Sequence, residues 1–406
     1  MRILLVTHYF PPEVGAPQAR LSEFAREWAA AGDRVTVLTG MPNHPTGIVP
    51  PEYRGARRRR ERRDGYDVVR TWLYATPNEG VLKKTLSHLS FMVTAVLLGA
   101  RAAGRADAVV VSSPTFFSVG AAWVLARLKR ARLVVEVRDL WPGIFVQLGV
   151  LTNRHLIALL ERLELAAYRA ADEIVVVTEG FRRDLIARGV PAAKVHTIRN
   201  GVDLDRFDGA HDPDPEVRAR LGARPDDCLV LYTGAHGISQ GLPAVAEAAA
   251  LLRGERVHVA FVGEGADKRN LAERVSALQL DNVSMLPAVP RDEVSGLLDA
   301  ADVCLVPLRD VPLFADFIPS KLFEYLGAEK AVIGSVDGES AEILTEAGAV
   351  VVPPERPDAL AAAIRRLAAD PAGRAAMGKT GRVYAEQHCD RRGHAHRYRT
   401  VLGGTA

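Results

Sequence analysis

The sequence predicts two α/β domains, each a parallel sheet covered by helices, and three observations carry that expectation. Short β-branched runs alternate with helix-length segments along most of the chain, the pattern of strands buried on both faces. The alternation breaks at residues 200–227, where Asp, Pro, Gly and Arg crowd together as they do in linkers. Finally, 406 residues exceed what one hydrophobic core usually organises.

The first strand is expected at Ile3–Val6, followed by a Pro/Gly loop and a helical pattern from Gln18 to Ala30. Further strands are expected at 35–38, 68–69, 108–111, 133–135 and 174–177, which makes the first half a doubly wound, Rossmann-like domain. Beyond the linker a second series runs through 229–232, 258–262, 283–286, 303–306, 332–333 and 350–352. The expected limits are 1–205 for the first domain and 206–380 for the second, with 381–406 as a terminal helix returning to the first. From Pro371 onward the chain reads as one or two polar helices with too few apolar residues for a core. Ligands of open α/β sheets bind beyond the carboxyl ends of the strands, so two such domains facing each other predict a site in the cleft between them.

Composition narrows the function classes. A hydrophobic fraction of 48% and a charged fraction of 25% describe a globular chain, not a disordered one. The net charge of +3 is small, but "RRRRERR", Arg57 to Arg63, gathers cations in one loop-like segment. That run is either solvated surface or a contact for an anionic membrane; without an aromatic residue for base stacking it argues against nucleic acid. Cys228, Cys304 and Cys389 are odd in number and far apart, which fits a reducing compartment and neither a zinc site nor a disulfide framework. The apolar run Ile3–Val6 is too short for a signal-peptide core, and a cytoplasmic location is expected. The segment Leu82–Arg105 has an apolar centre of ten or so residues between basic ends, short of the ~20 a membrane span needs. Either it lies in the plane of a membrane surface or it is an ordinary helix packed on the sheet.

Several strand ends could carry chemistry. In "FADFIPSKLFEYLGAEKAVIGS", Pro319-Ser320 opens and Gly327 closes a two-turn helix. Lys321 and Glu324 then share one face near a helix N-terminus, a place suited to a diphosphate with a sugar diol beside it; the alternative is a surface ion pair. "LYTGAHGISQG" and "FVGEGADKR" each end a strand in glycines, Gly234, Gly237 and Gly241 in one, Gly263 and Gly265 in the other, with Lys268 on the next helical turn. Two such ends in one domain favour an anion pocket. In "MLPAVPRDEV" the prolines bracket Ala288-Val289, whose exposed backbone could pair with a flat base edge. In the first half, Gly15 follows the first strand, His8 closes it, and "VEVRDLWPG" offers Glu136, Arg138 and Asp139 at a strand end. Substrate contact and structural salt bridge remain open for these charges, as a packed structural role does for His8. No HExxH, GxSxG or metal carboxylate pair stands in a convincing place, so no metal is expected.

Taken together, "PPEVGAP", "SSPTFFSVG", "EVRDLWPGIFVQLGVL", "NGVD", "VGEG" and the acidic pair Asp316 and Glu324, with seven residues between them, resemble the retaining nucleotide-sugar glycosyltransferases of family four. These are enzymes of two Rossmann-like lobes, the GT-B architecture. The resemblance covers essentially the whole chain and is most like bacterial enzymes of O-antigen and capsule assembly, including those similar to N-acetyl-L-fucosamine transferases of the colanic-acid type. It implies a UDP-sugar donor, a lipid-linked or small-molecule acceptor, no cofactor, and a peripheral place on the inner membrane face. Glu324 would take the ribose hydroxyls, Lys321 with Lys268 the diphosphate, and Asp316 would face the donor sugar. Ala288 and Val289 would hold uracil through their main chain, and Gly15, Gly234, Gly263, Pro319 and Ser320 would complete the donor site. Acceptor contacts would come from His8, Ser112 and Ser113, with Arg138 and Asp139 joining Asp316 and Lys321 in catalysis.

Two departures stand out: Ala235 and Gln240 occupy positions where many relatives carry Arg and Lys, and Arg138 stands where numerous relatives have histidine. The resemblance also implies a same-face substitution, in which the departing phosphate oxygen helps deprotonate the acceptor hydroxyl. Competing readings are an enzyme of this fold acting on a soluble metabolite, and a nucleotide-sugar binder without turnover, which the two lost cations suggest. A dinucleotide oxidoreductase is disfavoured by the missing GxGxxG.

Overall fold

Eight strands form one sheet and six a second in the computed structural model, which describes residues 1–13, 15–44, 46–77, 80–112, 116–143, 146, 151–207 and 213–404. The first sheet contains β1 (Arg2–Val6), β2 (Arg34–Gly40), β3 (Arg58–Arg63), β4 (Tyr66–Thr71), β5 (Ala108–Ser112), β6 (Arg132–Val137), β7 (Glu173–Val176) and β8 (Val195–Thr197). Their order is β3-β4-β2-β1-β5-β6-β7-β8, parallel throughout except for β3 against β4. Strand order reverses between β1 and β5, where Val6 pairs with Val111. His8 and Ser112 therefore lie at the switch point of the sheet, where open α/β folds bind ligands.

Helices α1 (Ala16–Ala30), α2 (Val81–Thr94), α3 (Phe116–Lys129), α4 (Arg154–Ala170) and α5 (Glu179–Ala187) accompany this sheet. Beyond Thr94, α2 runs on through a π turn at Ala95–Gly99 to Ala102. Among the described residues this one helix, Leu82–Ala102, is long and apolar enough to cross a membrane, which corrects the expectation of an apolar stretch well short of a span. Its inner face is nevertheless committed to the sheet: Phe91 and Ala95 are fully buried, and Gly99 meets Leu38 of β2 so closely that a methyl would sit 2.6 Å from it.

Two expectations fail locally. The Arg57–Arg63 run is an edge strand rather than a loop, since β3 pairs along its length with β4. Arginine has little intrinsic strand preference, but a charged edge resists pairing with another chain, and Arg60–Asp67 at 2.8 Å and Arg70–Glu61 at 3.0 Å tie the strands together. The tail also has enough apolar residues for a core. In helix Arg391–Val401, Ala395 and Tyr398, with Leu402 just beyond, join Phe24 and Trp28 of α1 in one cluster. The Trp28 indole N–H donates to the Ala395 carbonyl at 2.9 Å, and Tyr398 stacks on Trp28 at 5.3 Å.

The second sheet has β9 (Cys228–Thr233), β10 (Val257–Val262), β11 (Val283–Leu286), β12 (Val303–Pro307), β13 (Ala331–Ser335) and β14 (Val350–Val352). The order β11-β10-β9-β12-β13-β14 reverses between β9 and β12, the dinucleotide-fold topology. Its helices are α6 (Pro215–Arg220), α7 (Leu242–Leu251), α8 (Lys268–Ala277), α9 (Val294–Ala300), α10 (Ser320–Gly327), α11 (Gly338–Glu346), α12 (Pro357–Ala368) and α13 (Pro371–His388). Apolar clusters fill both faces of the sheet. The three cysteines are free and buried, and burial pushes the Cys304 thiol up to about 12.

By compactness the chain divides into residues 1–199 with 391–406, and residues 200–390. The first boundary thus falls ahead of the expected 205, and the returning segment starts at Arg391 instead of 381. Helix α13 stays with the second unit because Ala385 and Cys389 belong to its core; the returning helix is α14 (Arg391–Val401).

Candidate active site

The end of β9 and the start of α10 build the strongest candidate. Pro319 opens α10 without a side-chain cap, leaving first-turn N–H groups for an anion. Lys321 lies partly buried on that turn, and its Nζ is shielded from solvent with no hydrogen-bond partner. The ammonium stands 3.4 Å from the centre of the Tyr232 ring. Burial drives its pKa well below the ordinary 10.5, and Glu324 on the same face pulls it back up. An unpaired buried cation is costly, and a cation–π contact returns about 2 kcal/mol at most.

Gly234 is the surface residue that packs against this shielded cation. It has φ 123°, and a β-carbon there would lie 3.1 Å from the Lys321 Nζ. Gly234 is exposed, and its missing side chain leaves a surface notch beside the shielded ammonium. The notch is held in place from behind: Tyr325 of α10 accepts from the Thr233 N–H at 3.0 Å. Gly263 packs on the Gly234 carbonyl and Gly265 on the His236 main chain, where β-carbons would come within 1.8 Å and 2.3 Å of backbone atoms. These two glycines hold the β9 and β10 loops against each other.

Of the expected donor residues, the structure brings together Gly234, Gly263, Pro319, Ser320, Lys321 and Glu324. Lys268 departs from expectation: its ammonium donates to the Gly263 carbonyl at 2.9 Å and to Glu264 at 2.6 Å. It neutralises its own loop, which leaves Lys321 as the cation of the notch. Gln240 likewise closes its own turn, accepting from the Gly237 N–H at 3.0 Å. Ala288 is exposed and Val289 half-buried after β11, with Val289 resting on the core. Asp316 ends a 3₁₀ turn that is anchored by the Phe317 carbonyl, which accepts from Ser340 at 2.6 Å.

In the first unit Gly15 is the residue before α1, where an added methyl would sit 2.4 Å from the Gln18 side-chain oxygen. Ser112 and Arg138 meet: the Arg138 guanidinium donates to the Ser112 hydroxyl at 2.8 Å, and that hydroxyl donates to Glu136 at 2.9 Å. Glu136 also pairs with buried Arg20 at 3.2 Å. Arg138 Nε also stands 3.8 Å from Glu136, so its guanidinium is part of this buried cluster. Burial raises the Asp139 carboxyl above its usual range, against the pull of Arg138. His8 is buried, and its Nδ1 lies 3.2 Å from the Nδ1 of His88. Burial first, then His88 and His44, hold its pKa well below 6.5. Ser113 lies outside the described residues.

Comparison with known proteins shows the family. Residues 15–201 match the glycosyl transferase 4-like domain model and residues 213–384 the glycosyl transferases group 1 model. The chain is 29% identical, over 96% of its length and 97% of the relative's, to an Escherichia coli (strain K12) protein, WcaI, that carries the name of a colanic acid biosynthesis glycosyl transferase. The chain belongs to the family-four-type glycosyltransferases. This glycosyltransferase is also 27% identical, over 99% of its length and 98% of the relative's, to a Mycolicibacterium smegmatis enzyme named as a GDP-mannose-dependent alpha-(1-6)-phosphatidylinositol monomannoside mannosyltransferase. Its fold matches Anabaena HepE, solved with UDP and glucose, at a TM-score of 0.73 and 17% identity, with 99% of each chain covered. The architecture is GT-B.

Two residues beside Lys321 in this candidate site escaped the sequence reading, Tyr232 and His236. His236 is fully buried, and both ring nitrogens lack partners. Burial, then Lys268 and Lys321, lower its pKa to about 4, with Glu264 opposing. Its position inside a glycine-rich strand end was the available signal. Because the folded value lies below the ordinary 6.5, the unfolded chain binds more protons between those values, and stability falls as pH falls through that window. Near pH 5 the loss should reach about 2 kcal/mol for this group. Urea unfolding of native protein and His236→Gln at neutral and at that lower pH checks this; equal losses in both would sink the assignment.

Proposed function

We propose that this glycosyltransferase moves a sugar from a UDP-sugar, with an N-acetylated deoxyhexose as the candidate, onto a lipid-diphosphate-linked glycan in surface polysaccharide assembly, retaining the anomeric configuration. The observation that carries the reading is the Lys321 ammonium, buried, without a hydrogen-bond partner and packed beside the exposed, side-chain-free Gly234. A diphosphate seated there would meet that charge and the uncapped amides of α10 together. Breaking the sugar–phosphate bond builds charge on the departing diphosphate, and fixed donors of this kind bind the transition state more tightly than the ground state. Glu324 accepts from the ribose hydroxyls, the main chain of Ala288 and Val289 reads the base, and Asp316 faces the sugar. The leaving phosphate oxygen takes the acceptor hydroxyl proton, which accounts for same-face substitution without a protein nucleophile. Arg138 acts through Asp139, as a positioning residue.

Support for the donor class comes from HepE, whose structure holds UDP and glucose, and for the pathway class from the colanic-acid name of WcaI. The GDP-mannose dependence in the name of the mycolicibacterial relative makes GDP the competitor to exclude. Calorimetric titration with UDP, GDP and ADP, on native protein and Glu324→Ala, tests the reading. UDP should bind selectively, and the substitution should weaken it by about 10–100-fold, the worth of one or two hydrogen bonds to a carboxylate. Preference for GDP would overturn the uridine assignment, and an unaffected Glu324→Ala would overturn the ribose contact.

A further inference from the structure

Two cations from distant parts of the second unit grip the turn that is proposed to read the base. Pro287, Ala288, Val289 and Pro290 follow directly on β11. Proline carries no N–H and fixes its own φ, so the main-chain donors of this span are those of Ala288 and Val289. Among the described residues, nothing in the chain accepts from either of them. A surface span with unspent donors is ordinarily mobile. Here the restraint comes from the main chain at its two ends.

At the leading end the Leu286 carbonyl takes two bonds. The Gly263 N–H donates to it at 3.2 Å, and the ammonium of Lys268, the first residue of α8, donates to it at 3.3 Å. The same ammonium donates to the Gly263 carbonyl at 2.9 Å and to Glu264 at 2.6 Å. One cation thus ties the ends of two neighbouring strands, since Val262 and Leu286 are partners in the sheet. At the trailing end the Arg206 guanidinium donates to the Arg291 carbonyl at 2.6 Å. Arg206 sits on the 3₁₀ turn Leu204–Phe207, and Leu204 and Phe207 rest on the same core as Val289. The Pro290 carbonyl accepts from the Glu293 N–H at 3.1 Å, which closes the turn behind it. Charged donors make the stronger hydrogen bonds, and both of these fall on carbonyls that border the span directly.

We propose that Lys268 and Arg206 are specificity-determining positioning residues of the donor site. Without touching the nucleotide, each holds one end of the Pro287–Pro290 turn, so that the Ala288 and Val289 main chain meets the base edge in a fixed register. This rests on the base-reading role given to Ala288 and Val289 above and assigns the groups that make it selective. It also replaces the diphosphate contact first expected of Lys268. A uracil imide presents acceptor, donor and acceptor along one edge, and a peptide that pairs with it must keep its N–H and C=O in set places. Such a site rejects a base with a different pattern because its own polar groups are then left unpaired. A slack turn adjusts to either base, so losing a grip costs discrimination more than it costs affinity.

Calorimetry on the full chain with UDP, GDP and inorganic pyrophosphate separates this role from a phosphate contact. Lys268→Met should narrow the preference between UDP and GDP about ten-fold, the scale of a net main-chain hydrogen bond or two, and leave pyrophosphate affinity unchanged. Arg206→Met, on a different element at the other end of the turn, should reproduce that loss. Arg253→Met removes a similar bond, to the Leu278 carbonyl, and should leave the preference intact; thermal melts of all three variants give the purely structural cost for comparison. Weakening of UDP, GDP and pyrophosphate by one common factor in Lys268→Met would make Lys268 a phosphate ligand and overturn the proposal. A lowered thermal midpoint in Lys268→Met or Arg206→Met with the base preference unchanged would overturn it as well. Should the native chain prefer GDP, the uridine assignment fails on its own, and the grips are still judged by whether both variants lose that preference. A native chain that binds neither nucleotide overturns the donor reading and this inference together.

Discussion

Lys321→Met is expected to lower turnover about a hundred- to a thousand-fold, the usual consequence of removing one preorganised donor from a developing anion, and at the same time to raise the thermal midpoint. The two effects share one cause. In the free protein the ammonium is buried against Tyr232 with no hydrogen-bond partner, and an unsatisfied buried donor costs about 1–3 kcal/mol. Methionine fills similar volume without that penalty. The pH dependence has a definite sign. Since burial holds the folded pKa below 10.5, the unfolded chain binds the extra proton between the two values, so native stability rises with pH across that window. UDP affinity should fall over the same range, earlier than for an ordinary lysine, because the deprotonated amine no longer neutralises phosphate. Thermal melts and donor titrations at neutral and alkaline pH check both statements. A variant that loses stability along with activity would show Lys321 to be a structural member of the fold instead.

Gly263→Ala carries the largest expected cost to stability, at least about 4 kcal/mol. A methyl there would sit 1.8 Å from the Gly234 carbonyl oxygen, a main-chain atom that cannot rotate away, so the β9 and β10 loops must separate. Gly234→Ala is the instructive comparison. Its methyl would meet only the flexible end of Lys321, at 3.1 Å, but at a positive φ. It should therefore cost less stability, about 1–2 kcal/mol, while filling the notch and blocking the diphosphate. Urea denaturation of both variants, with UDP titration of whichever remains folded, separates support of the site from occupancy of it. Equal destabilisation by the two substitutions would contradict the packing argument.

The legible parts of this protein were those in which local sequence and fold agree. Pro319-Ser320 and Gly327 delimit α10 within a residue, because capping chemistry acts over one turn. Continuous β-branched runs marked nearly every central strand for the same reason. Strand β3 was illegible because its partner, not its composition, makes it a strand, and β8 because three residues carry too little pattern. Lys268 and Lys321 looked equivalent in sequence; only the loop carbonyls around Lys268 show that its charge is already spent. The His8, His44 and His88 neighbourhood joins three separate segments, a proximity that single-chain spacing does not encode.

The return of α14 to the first unit has a consequence for biosynthesis. Arg391 pairs with Glu23, Arg399 with Asp33, and Tyr398 covers Trp28, yet the whole of residues 200–390 must be translated before any of these partners exists. At ~5–20 residues per second that is roughly 10–40 s, far longer than a helix needs to form. Throughout that interval the aromatic side of α1 is open on the ribosome. The unit made first is thus the one completed last, and a chaperone that shelters a single apolar helix face during elongation would set how much of the newborn chain reaches the native state.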